Sequence, residues 1–150
     1  MGLYKSECYC TNLRRSANAV SDFYYRELKP SGLTAPQYYL MINLSRLGSA
    51  NITHWAEHVG LERSTMVRNI RPLEARGLIT QTDGHGKTYA LTGDGKAALD
   101  AAIPMWTEAQ RKLRDYLGGD DASAILRIGA KLQKLDRKST RLNSSHLEQS

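Results

Sequence analysis

Apolar residues recur at steps of three and four along most of this chain, which is the spacing of one face of an α-helix. The pattern predicts a helix from about residue 7 to 29 that ends at the turn sequence of residues 29–32. Thr34 is predicted to cap a second helix, which starts near Ala35 and runs to about Leu47. The chain is therefore predicted to be mainly α-helical.

Residues 51–77 have the pattern of two short helices joined by a tight turn. We expect Thr53 to cap the first helix and Gly60 to take the positive φ of the turn. The second helix begins near Arg63 and is predicted to bend at Pro72, because proline lacks the N–H that continues a helix. This order of elements is typical of a DNA-reading helix-turn-helix.

The second helix of this pair is amphipathic. Its apolar side is predicted to face a core and comprises Met66, Val67, Ile70 and Leu73. Its other side is polar and basic and comprises Ser64, Thr65, Arg68, Asn69 and Arg71. A solvated helix surface is the alternative interpretation of this side, but the neighbouring segments favour contact with DNA.

Two β-prone segments follow, at residues 78–82 and 88–91, and the residues between them have turn chemistry. They predict a hairpin. A hairpin directly after a recognition helix is the wing of a winged helix. Its tip would carry His85 and Lys87, which can reach phosphates or a minor groove.

Two further amphipathic helices are predicted at residues 93–117 and from about residue 120 to 136. Together with the first helix, they provide more amphipathic helix than one small winged helix needs to cover its core. The surplus predicts a dimerisation unit. The predicted fold class is mainly α with a small β-hairpin wing. It consists of a winged helix-turn-helix lobe plus N- and C-terminal dimerisation helices.

We expect one domain over residues 1–136. Its DNA-binding lobe spans about 33–92, and its dimerisation helices span about 7–29 and 93–136. Residues 137–150 lose the helical periodicity and are polar and rich in serine, so little fixed structure is expected there. This tail resembles a cloning scar more than the natural end of a domain.

The composition is ordinary for a globular protein of 150 residues, with 41% hydrophobic and 24% charged residues. The formal net charge of +6 favours a polyanionic partner. A cytoplasmic protein is expected, because the sequence has no apolar run long enough to span a bilayer and no signal-peptide core. His54 and His58 have a spacing that can hold a metal, yet beyond Glu57 and Glu62 no Cys or carboxylate stands at a recognisable ligand spacing, so we expect no metal and no cofactor.

Several phrases of the sequence together resemble the MarR family of bacterial transcription regulators. They are residues 8–15, 33–38 and 71–79, and the pair Leu91-Thr92 followed by Gly95. The resemblance covers roughly residues 7–136. It implies a homodimeric winged helix that binds a double-stranded, pseudo-palindromic operator, usually as a repressor. It also implies release of the DNA when a small molecule or an oxidant acts on the protein.

The resemblance assigns roles to the basic side of the second helix. Ser64, Thr65, Arg68 and Asn69 would face the major groove, where arginine pairs with guanine and asparagine with adenine. Arg63 and Arg71 would neutralise phosphates. The wing departs from the family pattern because its loop is short, with Lys87 as its permanent cation.

Family members that sense peroxides carry a reactive cysteine near the start of the first helix, close to a tyrosine across the dimer. Cys10 and Tyr24 stand at those positions, and Arg14 replaces a second family tyrosine. A small core residue is the alternative role for Cys10. Cys8 and Cys10 would point to opposite sides of a helix, so a sulfenic acid or a bridge between subunits is expected rather than a bond between them.

The sequence is therefore interpreted as a homodimeric, sequence-specific DNA-binding transcription regulator and not as an enzyme. An aromatic cavity for a phenolic effector is one route to its release. A peroxide-reactive thiol enzyme is an alternative, although no His or Asp partner set accompanies Cys10. A winged helix used only for protein contacts is another.

Overall fold

The computed structural model of the chain describes residues 6–84 and 88–147, with side chains up to residue 135. Its helices are α1 (Tyr9–Leu28), α2 (Ala35–Leu47), α3 (Ile52–Val59), α4 (Arg63–Ala75), α5 (Gly93–Leu117) and α6 (Gly119–Leu147). Its strands are β1 (Ala50–Asn51), β2 (Ile79–Gln81) and β3 (Thr88–Leu91), and a short 3₁₀ turn covers Lys29–Ser31. The predicted class, mainly α with a small wing, is confirmed.

Local capping signals fix the starts of two helices where they were predicted. The Gln37 N–H donates to the Thr34 hydroxyl at 3.3 Å, and the Thr34 N–H donates to Gln37 Oε1 at 3.0 Å. This reciprocal pair is a capping box at the start of α2. The Thr92 hydroxyl accepts from the Gly95 N–H at 3.0 Å and caps α5.

The cap of α3 differs from the prediction. Asn51 is the N-cap, because its side chain accepts from the His54 N–H at 2.7 Å, and the helix begins at Ile52. The expectation for Thr53 was therefore wrong. Asn51 ends strand β1, whose extended backbone supplies the conformation that an N-cap needs.

The three strands form an antiparallel sheet in the order β1-β3-β2. The predicted hairpin is confirmed by the pairing of Ile79 with Leu91 and of Gln81 with Tyr89. Strand β1 was not predicted, since two residues are too short to show an alternating pattern. It pairs Ala50 with Tyr89 and so ties the segment before α3 to the wing.

Residues 1–109 form one compact unit with a continuous apolar core. Trp55 of α3 is fully buried, and its indole N–H donates to the Leu40 carbonyl of α2 at 3.1 Å. Its ring also lies 6.4 Å from that of Tyr89, so α2, α3 and the wing meet at this side chain. The core therefore holds the helix-turn-helix and the wing on one scaffold.

Residues 110–150 form the second unit, which includes α6. This helix continues to Leu147, so the prediction of little fixed structure in residues 137–150 is wrong for the backbone of 137–147. The sequence from 130 to 147 contains neither glycine nor proline, and nothing stops a helix once it has formed. Residues 148–150 lie outside the described part, and the foreign origin of the tail stays a prediction.

The division into a DNA-binding lobe and dimerisation helices concerns an assembled dimer, and it also stays a prediction. Across residues 6–84 and 88–147, none of the helices combines the length and the apolar character needed to cross a membrane.

Gly95 allows α5 to approach the segment that joins α4 to the wing. A Cβ atom at this position would overlap the Leu78 carbonyl oxygen and lie 2.9 Å from the carbonyl carbon. The same oxygen accepts from the Thr92 N–H at 3.1 Å, so it cannot move without breaking that bond. Close approach thus explains the need for glycine here.

We expect Gly95→Ala to lower the free energy of unfolding by about 1–3 kcal/mol, the usual cost of overpacking. The matched control is Gly93→Ala in the same helix, where an added Cβ meets nothing within 4 Å. Urea unfolding followed by circular dichroism measures both. A Gly95→Ala protein as stable as the control would contradict the close approach.

Candidate nucleic-acid interface

A left-handed glycine makes the turn between α3 and α4. Gly60 has φ +73° and donates its N–H to the carbonyls of Ala56 and Glu57 at the end of α3. The Leu61 N–H also donates to the Ala56 carbonyl, at 3.0 Å. These bonds satisfy the end of α3 and set the direction in which α4 leaves, as predicted for Gly60.

Helix α4 has a buried apolar face and a more exposed polar face, as its amphipathic pattern predicted. Met66, Ile70 and Leu73 are buried in the core. The residues on the opposite side are exposed or half-buried, and they are Ser64, Thr65, Arg68, Asn69 and Arg71. Arg63 is exposed at the start of the helix. Six of the predicted DNA-contacting residues therefore lie on one helix whose core face is held rigidly.

Two of these side chains are oriented by hydrogen bonds. The Arg63 guanidinium donates to the Thr53 hydroxyl at 3.3 Å, so it reaches back to the start of α3. The Asn69 amide donates to the Thr65 carbonyl at 2.8 Å. An amide nitrogen carries two hydrogens, so Asn69 keeps one donor and its oxygen for a further partner.

The base of the wing is joined to α4. The Gln81 amide donates to the Tyr89 hydroxyl at 3.3 Å and to the Glu74 carboxylate at 3.5 Å. His85 and Lys87, predicted at the wing tip, lie outside the described residues. Their contact with DNA stays a prediction.

Arg76, at the end of α4, is a positioning residue that the sequence did not reveal. Its guanidinium donates to the Gly32 carbonyl at 2.8 Å, ahead of α2. The two residues are 44 positions apart, and no local signal joins them. This contact ties the C-terminal end of α4 to the scaffold, as the buried face does along its length.

The two cysteines are both exposed in this chain, so the core role considered for Cys10 has no support. Cys8 is the N-cap of α1 with an extended backbone, φ −74° and ψ 118°, and only Cys10 lies within the helix. The helical geometry that argued against a bond between them therefore does not apply. A hydrogen bond from the Thr11 side chain lowers the pKa of the Cys8 thiol.

Tyr24 lies fourteen residues after Cys10 on α1, which corresponds to about 21 Å along the helix axis. The two residues are therefore not brought together within one chain. Tyr24 is half-buried, and its burial raises the pKa of the phenol. Its ring packs edge-to-face against Phe23, with centroids 5.6 Å apart.

Tyr24 instead contributes to a cavity of about 590 Å³ in the unit of residues 1–109. The lining is largely aromatic and apolar and consists of Tyr24, Ala35, Tyr38, Tyr39, Ile42, Asn43, Arg46, Ile103 and Trp106. Tyr38 and Trp106 stack with centroids 5.6 Å apart at 19°. Burial also raises the pKa of Tyr38, so its phenol is neutral at physiological pH.

The residues with described side chains contain no group of three or more His, Cys, Asp or Glu that could hold a metal ion. His58 instead contacts Asn43, with 3.2 Å between its Nε2 and Asn43 Oδ1.

Comparison with known proteins gives consistent matches. The MarR family model matches residues 33–86, which include α2 to β2. A crystal structure of the M. tuberculosis transcriptional regulator MosR is 32% identical over 88% of this chain and 97% of that chain, with a TM-score of 0.72. The same regulator in complex with DNA is 29% identical over 89% and 98%, with a TM-score of 0.77.

The transcriptional repressor CouR, solved with p-coumaroyl-CoA, is 27% identical over 87% of this chain and 97% of that chain, with a TM-score of 0.77. The similarity thus extends well beyond the helix-turn-helix to nearly the full length of these regulators. From the winged helix, the family model and the identity to MosR, we conclude that the chain belongs to the MarR family of transcription regulators.

Proposed function

We propose that this protein is a homodimeric, sequence-specific DNA-binding regulator that represses transcription. The observation that carries the proposal is the arrangement of α4. One face of the helix is buried in the core, while the opposite face presents arginine, serine and threonine to solvent directly after a tight turn. A rigid helix with such a face fits a major groove. The similarity to MosR, which has been solved with DNA, supports this interpretation.

The proposed contacts divide into two classes. We assign Arg68, with Ser64, Thr65 and Asn69, to base edges, as the resemblance to the MarR family implies. Arg63 and Arg71 neutralise phosphates, and we assign the same role to His85 and Lys87 on the wing. The Arg63 bond to Thr53 keeps its charge near the start of α3, away from the centre of the reading face.

The proposed dimer rests on apolar side chains that each unit leaves exposed. In α6 they recur at helical steps and comprise Ile125, Ile128, Leu132 and Leu135. In α1 they comprise Tyr9, Leu13, Val20 and Tyr25. Exposed apolar side chains in such numbers are typical of an interface, and a second copy of the chain is the occupant that the family relation favours. A two-fold dimer would read a pseudo-palindromic operator.

The aromatic cavity is the proposed effector site. Two neutral phenols, the Trp106 ring and the Arg46 guanidinium favour a planar aromatic ligand with an anionic group. Binding there would shift the protein toward a state that releases DNA. CouR carries p-coumaroyl-CoA, an aromatic acyl thioester, which supports a ligand of this class.

Oxidation is a second proposed route to release, because both thiols are exposed and that of Cys8 has a lowered pKa. A stoichiometric reaction of the thiol is sufficient for this role, so we propose no enzymatic activity. Since the protein acts on the chromosome, we place it in the cytoplasm.

We expect Arg68→Ala to weaken binding to the operator by about 1–3 kcal/mol, roughly 5- to 150-fold, and to relax base preference. Arg71→Ala should weaken binding to operator and unrelated DNA alike. Fluorescence anisotropy against the upstream region of its own gene, at several salt concentrations, measures both. Arg26→Ala, which removes an exposed arginine from the last turn of α1, is the control. Equal wild-type affinity for operator and random DNA would contradict sequence-specific regulation.

The lowered pKa of Cys8 gives a second test. In Cys10→Ser protein, where Cys8 is the remaining thiol, adding Thr11→Val removes the hydrogen bond that stabilises the thiolate. The pKa should rise, so alkylation by iodoacetamide at pH 7 should slow and its pH midpoint should move upward. Ser16→Ala, which removes another hydroxyl of α1, is the control. An unchanged midpoint in Thr11→Val would contradict the role of Thr11.

A further inference from the structure

Asn43 is the one buried polar side chain in the core of the described residues, with 6% of its surface exposed. Its amide nitrogen donates to the Tyr39 carbonyl at 2.8 Å, one turn earlier on α2. Its oxygen lies 3.2 Å from Nε2 of His58 on α3. Because the amide oxygen only accepts, the His58 Nε2 must carry the hydrogen and donate it.

Asn43 also lines the aromatic cavity, so one side chain faces both the cavity and α3. Tyr39 likewise faces both the cavity and α3. It lines the cavity, and its hydroxyl lies 3.5 Å from the Val59 carbonyl at the end of α3. Asn43 and Tyr39 are four residues apart on α2, which places them on the same face of the helix.

The part of α3 that these residues contact controls the direction of α4. His58 and Val59 belong to the last turn of α3, immediately before Gly60. The carbonyl of Ala56, in the same turn, accepts from the N–H groups of Gly60 and Leu61, which lead into α4. A displacement of this turn therefore changes the start of the recognition helix.

We propose that the Asn43–His58 hydrogen bond transmits occupancy of the aromatic cavity to the turn between α3 and α4. A group that enters the cavity displaces Asn43, and the bond to His58 carries the displacement into the last turn of α3. In this proposal His58 is a positioning residue that acts through Asn43 on one side and the last turn of α3 on the other. The proposal rests on the proposed function, because DNA binding is the output that the link controls.

A side chain that fills the cavity substitutes for the unidentified ligand in the test. Ile103→Trp places a larger ring in the cavity from α5, and Ala35→Phe does so from α2 if the first variant fails to fold. The filling substitution is made in wild type, in His58→Ala and in the control His54→Ala. His54 lies one turn earlier on α3 and donates its backbone N–H to Asn51.

Two measurements read the effect: operator affinity, and hydrogen exchange of residues 60–68 without DNA. In wild type and in His54→Ala, filling the cavity should weaken operator binding about tenfold and speed exchange in this segment. In His58→Ala, the same substitution should change the affinity less than about threefold and leave exchange unchanged.

An equal response to filling in His58→Ala and in His54→Ala would overturn the proposal. No change of exchange on filling in any background would overturn it too. Failure of the proposed function gives a different result, because the wild-type protein would then lack specific DNA binding. Hydrogen exchange would still report whether the cavity and the turn are coupled.

Discussion

Burial of one face of α4 in the core fixes the orientation of this helix, and with it the exposed face that carries the arginines. Met66 and Leu73 are fully buried, and each such side chain stabilises the fold by about 1.5–3 kcal/mol relative to an exposed one. This free energy fixes the rotation of the helix about its axis. Arg68 and Arg71 therefore face solvent as a consequence of packing, and the proposed DNA-reading surface is backed by the core along its length.

The elements around α4 are tied to one another and to the end of the helix. Trp55 joins α3 to α2, Arg76 ties the end of α4 to the turn before α2, and Gln81 links the wing to Glu74. The α3–α4 turn is held by Gly60 and by the contacts of Tyr39 and Asn43. Through these contacts, α4 is linked to α2, to the end of α3 and to the wing.

The elements that the sequence predicted correctly are those with local signals. The hydroxyls of Thr34 and Thr92 each accept a hydrogen bond from a backbone N–H three residues later and so cap the helix that follows. Gly60 forms a turn through bonds to residues three and four positions earlier, and the two faces of α4 follow from helical periodicity. The contacts of Arg76 with Gly32 and of His58 with Asn43 join distant positions, so no single-sequence pattern could show them. Asn51 and Thr53 are both good N-caps, and the pairing of β1 with β3 favours Asn51.

The same distinction applies to the candidate site. Periodicity identified the residues of α4. The exposure of Cys10 and the position of Cys8 outside α1 depend instead on the residue at which α1 begins. Helix starts are set by a few hydrogen bonds and are hard to place from periodicity. The end of α6 was placed too early for a related reason, because a loss of amphipathic pattern does not stop a helix that lacks glycine and proline.

In the proposed function, two copies of the chain bind one two-fold DNA site through their α4 helices. The most direct measurement is hydroxyl-radical footprinting on DNA from upstream of its gene, with the mass of the complex determined by analytical ultracentrifugation. We expect two chains per site and two protected segments about one helical turn apart, related by a two-fold axis. One chain per site, or uniform protection along the duplex, would contradict the proposed function.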